Sequence, residues 1–322
     1  MTTPNERALP PVLEYDHGIT CVDTLQERPG LACCYLIERA GEYAFVECGT
    51  ALGVPRLLAL LEARGVDRSA VRYVIPTHVH LDHAGGAGAL MQALPEARLV
   101  AHPRGARHLI DPSKLIAGAE AVYGAAEVAR MYGEILPVPE ARVIVADDGA
   151  ELAFGASALT FVDSPGHARH HFCVWDPVSR GFFTGDSFGL SYREFDGPGG
   201  PFLFPTTTPV QFEPDAWEKT LDRLLGFEPQ AMYLTHFGRV DDVAKLAADL
   251  RAGLVRYQAI AARLREAPDR HAALVEALTR DAIEQIGTLA SPVGAEEARR
   301  LLAFDMELNV QGLEFWMDRA AA

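Results

Sequence analysis

The chain has 322 residues, of which 49% are hydrophobic and 23% are charged, a composition typical of a folded protein rather than a fibrous or disordered one. Its 44 acidic and 29 basic residues give a formal net charge of −15. This negative charge disfavours nucleic acid and anionic membranes as partners, so we expect a small-molecule ligand. The length allows about two structural units.

Short β-branched or aromatic runs, bounded by glycine and proline, predict strands along the first two hundred or so residues. The predicted strands lie at 32–37, 43–47, 72–75, 98–101, 158–162, 171–175 and 181–184. Helices are predicted between them at 54–64 and 86–93, with a helical insert at 114–132. This alternation predicts a mixed α/β body in which helices cover the faces of sheets.

The sequence pattern changes after Gly238, where Ala, Leu, Glu and Arg dominate and apolar residues recur at steps of three and four. Such a pattern predicts helices, here at 241–265, 271–286 and 295–319. We therefore predict two domains, an α/β domain at residues 15–238 and a helical C-terminal extension at residues 239–322.

The cysteines indicate a reducing environment. Five are present, an odd number at irregular spacings and mostly within apolar runs: Cys21, Cys33, Cys34, Cys48 and Cys173. This pattern predicts buried free thiols rather than a disulfide framework. The first fifteen residues lack a basic-then-apolar signal pattern, and no run of 18 apolar residues offers a membrane span. A cytoplasmic location is the simplest expectation.

Three histidines and a carboxylate lie within six residues directly after the predicted strand at 72–75: His78, His80, Asp82 and His83. Pro76 argues against a helix at this point. His78 and His80 can reach one metal ion only if the segment is extended, because residues two apart share a face only in extended chain. The following turn directs Asp82 and His83 elsewhere, so the spacing suggests two neighbouring metal positions.

Three more candidate ligands each follow an apolar run: His167, Asp186 and His236. Residues at strand ends converge on one edge of a sheet, where loops form sites on a rigid scaffold. We therefore expect these three side chains near the histidine cluster.

Together these five segments resemble the metallo-β-lactamase superfamily, in particular its dinuclear metal hydrolases of the glyoxalase II and lactonase type. The resemblance covers about residues 17–238 and makes 15–238 the catalytic domain. It implies an αββα sandwich with the metals at one edge of the paired sheets. It also implies that His78, His80 and His167 bind one metal, that Asp82, His83 and His236 bind the second, and that Asp186 bridges the two.

Imidazole and carboxylate ligands suit zinc, iron or manganese, and we expect two divalent ions, with zinc first. Metal coordination lowers the pKa of water from ~15.7 towards ~7, which makes hydroxide available as a nucleophile. Asp82 is expected to be both ligand and orienter of that hydroxide. The resemblance therefore implies a metal-dependent hydrolase whose metal-bound hydroxide attacks an ester, a thioester or a lactone.

Other branches of the superfamily fit less well or stay open. Antibiotic-hydrolysing lactamases typically have Cys or Ser in place of Asp186. A mononuclear iron dioxygenase similar to the persulfide dioxygenases would use only His78, His167 and Asp186. A phosphodiesterase on the same fold is a further alternative, since the same hydroxide attacks phosphorus, and a non-catalytic binding module is the last.

Three features have no role fixed by the sequence. The aromatic-rich loop at 187–212 either packs on its own rings or lines an apolar pocket, and Tyr192 within it is a candidate donor to a substrate carbonyl or leaving group. Glu47 stands where relatives commonly have Asp, and it is one methylene longer. The C-terminal helices could roof the pocket or form a homodimer surface.

Overall fold

The computed structural model describes residues 9–319. These residues form two compact units that interleave along the chain. The first unit contains residues 9–163 together with His170–Gly185, and the second contains Ser164–Arg169 together with residues 186–319.

The first unit contains a seven-stranded sheet whose strands lie in chain order. They are β1 Val12–Tyr15, β2 Ile19–Asp23, β3 Cys33–Arg39, β4 Glu42–Val46, β5 Val71–Ile75, β6 Arg98–Ala101 and β7 Val143–Val145. Strands β1 to β4 pair antiparallel, whereas β4 to β7 pair parallel. Because β4 and β5 run in the same direction, their carboxyl ends lie at the same edge of the sheet.

Helices of the first unit follow or separate these parallel strands. They are α1 Val54–Ala63, α2 Leu81–Ala84, α3 Ala87–Ala93, α4 Ala106–Ile110, α5 Ser113–Tyr123 and α6 Ala125–Tyr132. Helices α1 and α3 bury Leu57 and Leu90 in one apolar core with Phe45 and Val74 of the sheet. The burial of these apolar side chains holds the helices on one face of the sheet.

Four strands of a second sheet also belong to the first unit: β8 Glu151–Phe154, β9 Ser157–Asp163, β10 Phe172–Asp176 and β11 Gly181–Gly185. They pair antiparallel in the order β11-β10-β9-β8. The rings of Tyr35 on β3 and Phe183 on β11 lie 5.1 Å apart between centroids. The two sheets of this unit therefore pack face to face.

The second unit is mainly helical. It contains α7 Pro214–Leu225, the antiparallel hairpin of β12 Ala231–Leu234 and β13 Gly238–Val240, then α8 Val243–Leu264, α9 Arg270–Thr288 and α10 Ala295–Arg319. Helix α10 buries Leu302, Met306, Val310 and Leu313. Their spacing of three to four residues is the apolar stripe of an amphipathic helix.

The expected fold class is confirmed: the protein is mixed α/β with two sheets flanked by helices, and the C-terminal helices are present. The helical insert expected at 114–132 consists of α5 and α6, which meet at Gly124 with φ +83°. The elements that were not predicted include helix α7 and the strands β1, β2, β7, β8 and β13. Strands β1, β7 and β8 have only three or four residues and include exposed positions. The domain boundary at 238/239 stays a prediction.

All five cysteines are free and buried, as expected. None of the helices within residues 9–319 combines the length and the apolar character that crossing a bilayer requires.

Arg142 holds the end of α3. Its guanidinium donates hydrogen bonds to the carbonyl oxygens of Met91 in the last turn of α3, of Leu94 at its C-cap, and of Ala97 in the following turn. Carbonyls at a helix end have no intrahelical partners. We expect Arg142→Ala to lower the free energy of unfolding by about 1–3 kcal/mol, because buried carbonyls lose a charged donor.

Urea denaturation followed by circular dichroism measures this change. The matched control is Arg98→Ala, at an exposed position on β6, where we expect a change within about 0.5 kcal/mol. Equal denaturation midpoints for the two variants would contradict the role given to Arg142.

Candidate metal centre

His78 and His80 lie just past the carboxyl end of β5, in chain that is extended up to the start of α2. This is the conformation that the His-x-His spacing requires. Nε2 of His78 lies 2.8 Å from Nδ1 of His80, so both imidazoles point to the same place. Two ring nitrogens at this distance must share a proton or a cation, since two facing lone pairs repel.

Helix α2 turns the next two side chains in another direction. Its first turn carries Asp82 and His83, and Nε2 of His83 lies 3.5 Å from Oδ2 of Asp82. The His83 side chain is fully buried, whereas 28% of the Asp82 side chain is exposed. The His78 and His83 rings are 4.0 Å apart between centroids. The first unit thus brings all four predicted residues of this segment together.

The carboxylate of Glu47, directly after β4, forms hydrogen bonds with His83 and with Thr77, the residue before His78. Its Oε1 accepts a hydrogen bond from Oγ1 of Thr77 at 2.6 Å and lies 3.0 Å from Nδ1 of His83. Its Oε2 accepts from the backbone N–H of Thr77 at 3.1 Å. Because a carboxylate only accepts, Nδ1 of His83 carries the proton and Nε2 carries the lone pair that can bind a metal.

Thr77 extends the same network to His78. Since its hydroxyl donates to Glu47, it accepts from Nδ1 of His78, which is 3.1 Å away. Nε2 of His78 then carries its lone pair towards His80. The tautomers of two histidines therefore follow from one buried carboxylate, a role that the sequence left open for Glu47.

His167, Asp186 and His236 lie together in the second unit, although 69 residues of sequence separate the first from the last. Nε2 of His167 is 3.4 Å from Oδ2 of Asp186, and Nε2 of His236 is 3.7 Å from Oδ1 of the same carboxylate. Each oxygen of Asp186 thus faces a different histidine. All three side chains are at least nine-tenths buried.

The loop that carries His167 is held by α7. Gly166 has φ +141°, and a Cβ at this position would lie 2.5 Å from Cβ of Trp217, so only glycine fits. Thr220 Oγ1 donates to the Pro165 carbonyl at 2.6 Å. Helix α7, which sequence patterns missed, therefore fixes the backbone beside a predicted ligand.

Tyr192 is buried, and its hydroxyl donates to Oδ1 of Asp305 at 2.9 Å. Its ring packs against Phe204, which stacks on Phe202 with 5.3 Å between centroids. These loop aromatics pack on one another, as one of the two interpretations expected. The catalytic role of Tyr192 stays a prediction.

The helical insert brings two tyrosines near Asp82 that sequence patterns did not single out. Burial, and then the negative charge of Asp82, raise the pKa of Tyr123 to about 12. The same two causes raise the pKa of Tyr132 well above its usual range. Tyr132 packs with Leu81, and Tyr123 contacts the same apolar cluster. The insert thus lies beside the segment that carries the predicted ligands.

A sequence model of the metallo-beta-lactamase superfamily matches residues 28–236, more than half of the chain. The chain belongs to this superfamily. The match covers all seven predicted ligands, which confirms the resemblance drawn from the motifs.

Curated relatives within the superfamily match over shorter stretches. The metallo-beta-lactamase fold-containing protein ST1585 of Sulfurisphaera tokodaii is 30% identical over 172 residues, which are 52% of this chain and 61% of that protein. The atrochrysone carboxyl ACP thioesterase of Aspergillus fumigatus is 29% identical over 132 residues, which are 41% of this chain and 31% of that protein. The chain therefore spans less than two thirds of the length of these relatives.

Solved structures of the superfamily share the fold over nearly the whole chain. The crystal structure of ST1585 superposes with a TM-score of 0.64 at 21% identity, covering 93% of this chain and 99% of that one. A beta-lactamase domain protein from Burkholderia ambifaria superposes with a TM-score of 0.62 at 19% identity, covering 93% and 92%. At these identities the likeness shows the metallo-β-lactamase fold and no more.

Glu47→Gln tests the organising carboxylate. An amide keeps one acceptor oxygen but places an NH₂ group against either the Thr77 N–H or the His83 Nδ1–H, so one buried donor loses its acceptor. We expect zinc affinity to fall about 10- to 100-fold, as is usual when a residue that supports a metal-binding histidine is changed.

Competition with a chromophoric chelator measures this affinity. Glu62→Gln, on an exposed position of α1, is the control and should bind zinc as the unmodified chain does. Wild-type affinity in Glu47→Gln would show that Glu47 does not position His83.

Proposed function

We propose that this protein is a dinuclear metal-dependent hydrolase that acts on an ester, a thioester or a lactone. The observation that carries the proposal is the setting of Asp186, whose two oxygens face His167 and His236. Motif positions assign these two histidines to different metals, so a carboxylate that faces both would be suited to bridge the two ions.

The available donors fit divalent ions. By motif position, one donor group consists of His78, His80 and His167, the other consists of Asp82, His83 and His236, and Asp186 is the bridging carboxylate. Imidazole nitrogens and carboxylate oxygens are the ligands that zinc, iron and manganese accept. We propose that the first group holds one ion and the second group the other, with zinc as the first candidate.

The chain's own residues would then divide the work. When bound, the metal pair supplies a hydroxide near neutral pH and polarises the oxygen that gains charge. Asp82, the partly exposed member of the set, would orient the nucleophile by accepting its hydrogen bond. Glu47 and Thr77 keep Nε2 of His83 and of His78 in the lone-pair form. The overall reaction would consume one water: its hydroxyl would go to the acyl carbon, the acyl–oxygen or acyl–sulfur bond would break, and its proton would go to the leaving group.

The substrate class rests on one relative and on the net charge of the chain. The Aspergillus relative is a thioesterase, and it matches 41% of this chain, which favours an acyl compound. The net charge of −15 disfavours polyanions through long-range repulsion. A cytoplasmic location remains part of the proposal, supported by five buried cysteine thiols, which are typical of a reducing compartment.

Metal analysis combined with an ester, thioester and lactone screen tests the proposal. We expect about two divalent ions per chain and turnover of at least one acyl substrate. One iron per chain with oxygen consumption would instead support the mononuclear dioxygenase, and hydrolysis restricted to phosphodiesters would support the phosphodiesterase. Bound metal without turnover of any substrate would support the alternative that the protein is a non-catalytic binding module.

His78→Ala and Asp82→Ala should each lose metal and lower kcat/KM by at least about 100-fold, since each removes a ligand of the group that stabilises the developing charge. His108→Ala, at a histidine outside both donor groups, is the control and should keep both properties. Full activity in either ligand variant would place the chemistry elsewhere.

A further inference from the structure

We propose that Asn309, on the C-terminal helix α10, is a positioning residue for His167, and that it acts through the loop at 205–207. The inference rests on the proposed function in one respect, because it takes His167 as a metal ligand. It assigns a role to the helical extension that the metal-binding motifs do not reach.

Asn309 holds the loop with hydrogen bonds from both its side chain and its backbone. Its Oδ1 accepts from the backbone N–H of Thr207 at 2.6 Å, and its Nδ2 donates to the carbonyl of Pro205 at 3.2 Å. Its own backbone carbonyl accepts from Oγ1 of Thr207 at 2.7 Å. A backbone N–H only donates and a carbonyl only accepts, so these partners fix which way the amide points.

Thr206 lies between the two clamped residues, and its carbonyl oxygen is 3.0 Å from Nδ1 of His167. Because this carbonyl can only accept, Nδ1 of His167 carries the proton and Nε2 carries the lone pair. Nε2 is the nitrogen that lies 3.4 Å from Asp186. The position of the Thr206 carbonyl therefore selects the tautomer of His167 and aims the ring at the bridging carboxylate.

The contact is buried and closely fitted. Asn309, Thr207 and His167 are each no more than 1% exposed, so water cannot readily replace a lost partner. Gly312 lies three residues after Asn309, on the same face of the helix. A Cβ on Gly312 would lie 1.3 Å from the Thr207 carbonyl oxygen, so the backbone of α10 lies directly against the loop. The side chain at 309 and the absence of one at 312 together set the loop's position.

The test compares two variants, Asn309→Leu and Leu302→Ala. Asn309→Leu keeps the approximate shape of the asparagine side chain but loses its side-chain hydrogen bonds to the loop. Leu302 is a buried residue of the same helix whose truncation lowers stability by cavity formation. We expect Asn309→Leu to weaken zinc binding about 10- to 100-fold. The visible spectrum of the cobalt-loaded protein should also change. In long-range ¹H–¹⁵N spectra of the metal-free chain, His167 should no longer show a single tautomer. Leu302→Ala should lower the melting temperature and leave zinc affinity within about two-fold of wild type.

Asn309→Asp provides a second variant if Asn309→Leu does not fold, since it keeps the acceptor for Thr207 and replaces the donor to Pro205 with an acceptor. An intermediate loss of zinc affinity in Asn309→Asp supports the inference. Wild-type zinc affinity and cobalt spectrum in the Asn309 variants would overturn it, as would an equal loss in Leu302→Ala. A wild-type chain that takes up no metal would overturn the proposed function and this inference with it, whereas wild-type uptake with unaffected variants overturns this inference alone.

Discussion

One carboxylate, Asp186, faces a different histidine with each of its oxygens, and the proposed chemistry depends on that arrangement. Burying a carboxylate costs free energy unless its charge is compensated. The Nε2 atoms of His167 and His236 lie 3.4 and 3.7 Å from its oxygens. These imidazoles can offset the negative charge if they are protonated, or if cations lie between them and the carboxylate. The proposed divalent pair would satisfy all three groups at once.

In each unit a hydrogen-bond acceptor orients a histidine of the predicted ligand set, but the acceptors differ in kind. In the first unit, the Glu47 carboxylate accepts from Nδ1 of His83 and, through Thr77, orders His78. In the second unit, a neutral backbone carbonyl at Thr206 does this for His167. Both acceptors bind the proton on Nδ1, so the lone pair that a metal could use lies on Nε2. A charged acceptor makes its histidine a stronger ligand than a neutral one does.

Much of the fold and the donor set could be predicted from sequence, because both leave local signals. His78 and His80 follow an apolar strand at a spacing that only extended chain can use, and Pro76 reinforces the assignment. The helices at 54–64 and 295–319 carry clear apolar periodicity. Glu47 was harder to interpret, since its partners Thr77 and His83 are 30 and 36 residues away. Contacts at that separation leave no periodic signal, and a residue one methylene longer than expected shows its reach only in three dimensions.

Asn309 shows why the remainder could not be predicted. In sequence it is one polar residue on the buried face of a long helix, where capping or packing is the simplest account of it. Its effect depends on Thr207, 102 residues earlier, and passes through a backbone carbonyl, a group that every residue carries and no pattern marks. Gly312 likewise reads as a weak point in a helix, yet its missing side chain is what lets α10 meet the loop. Side chains that act through backbone groups can therefore be found only when the fold has brought the two segments together.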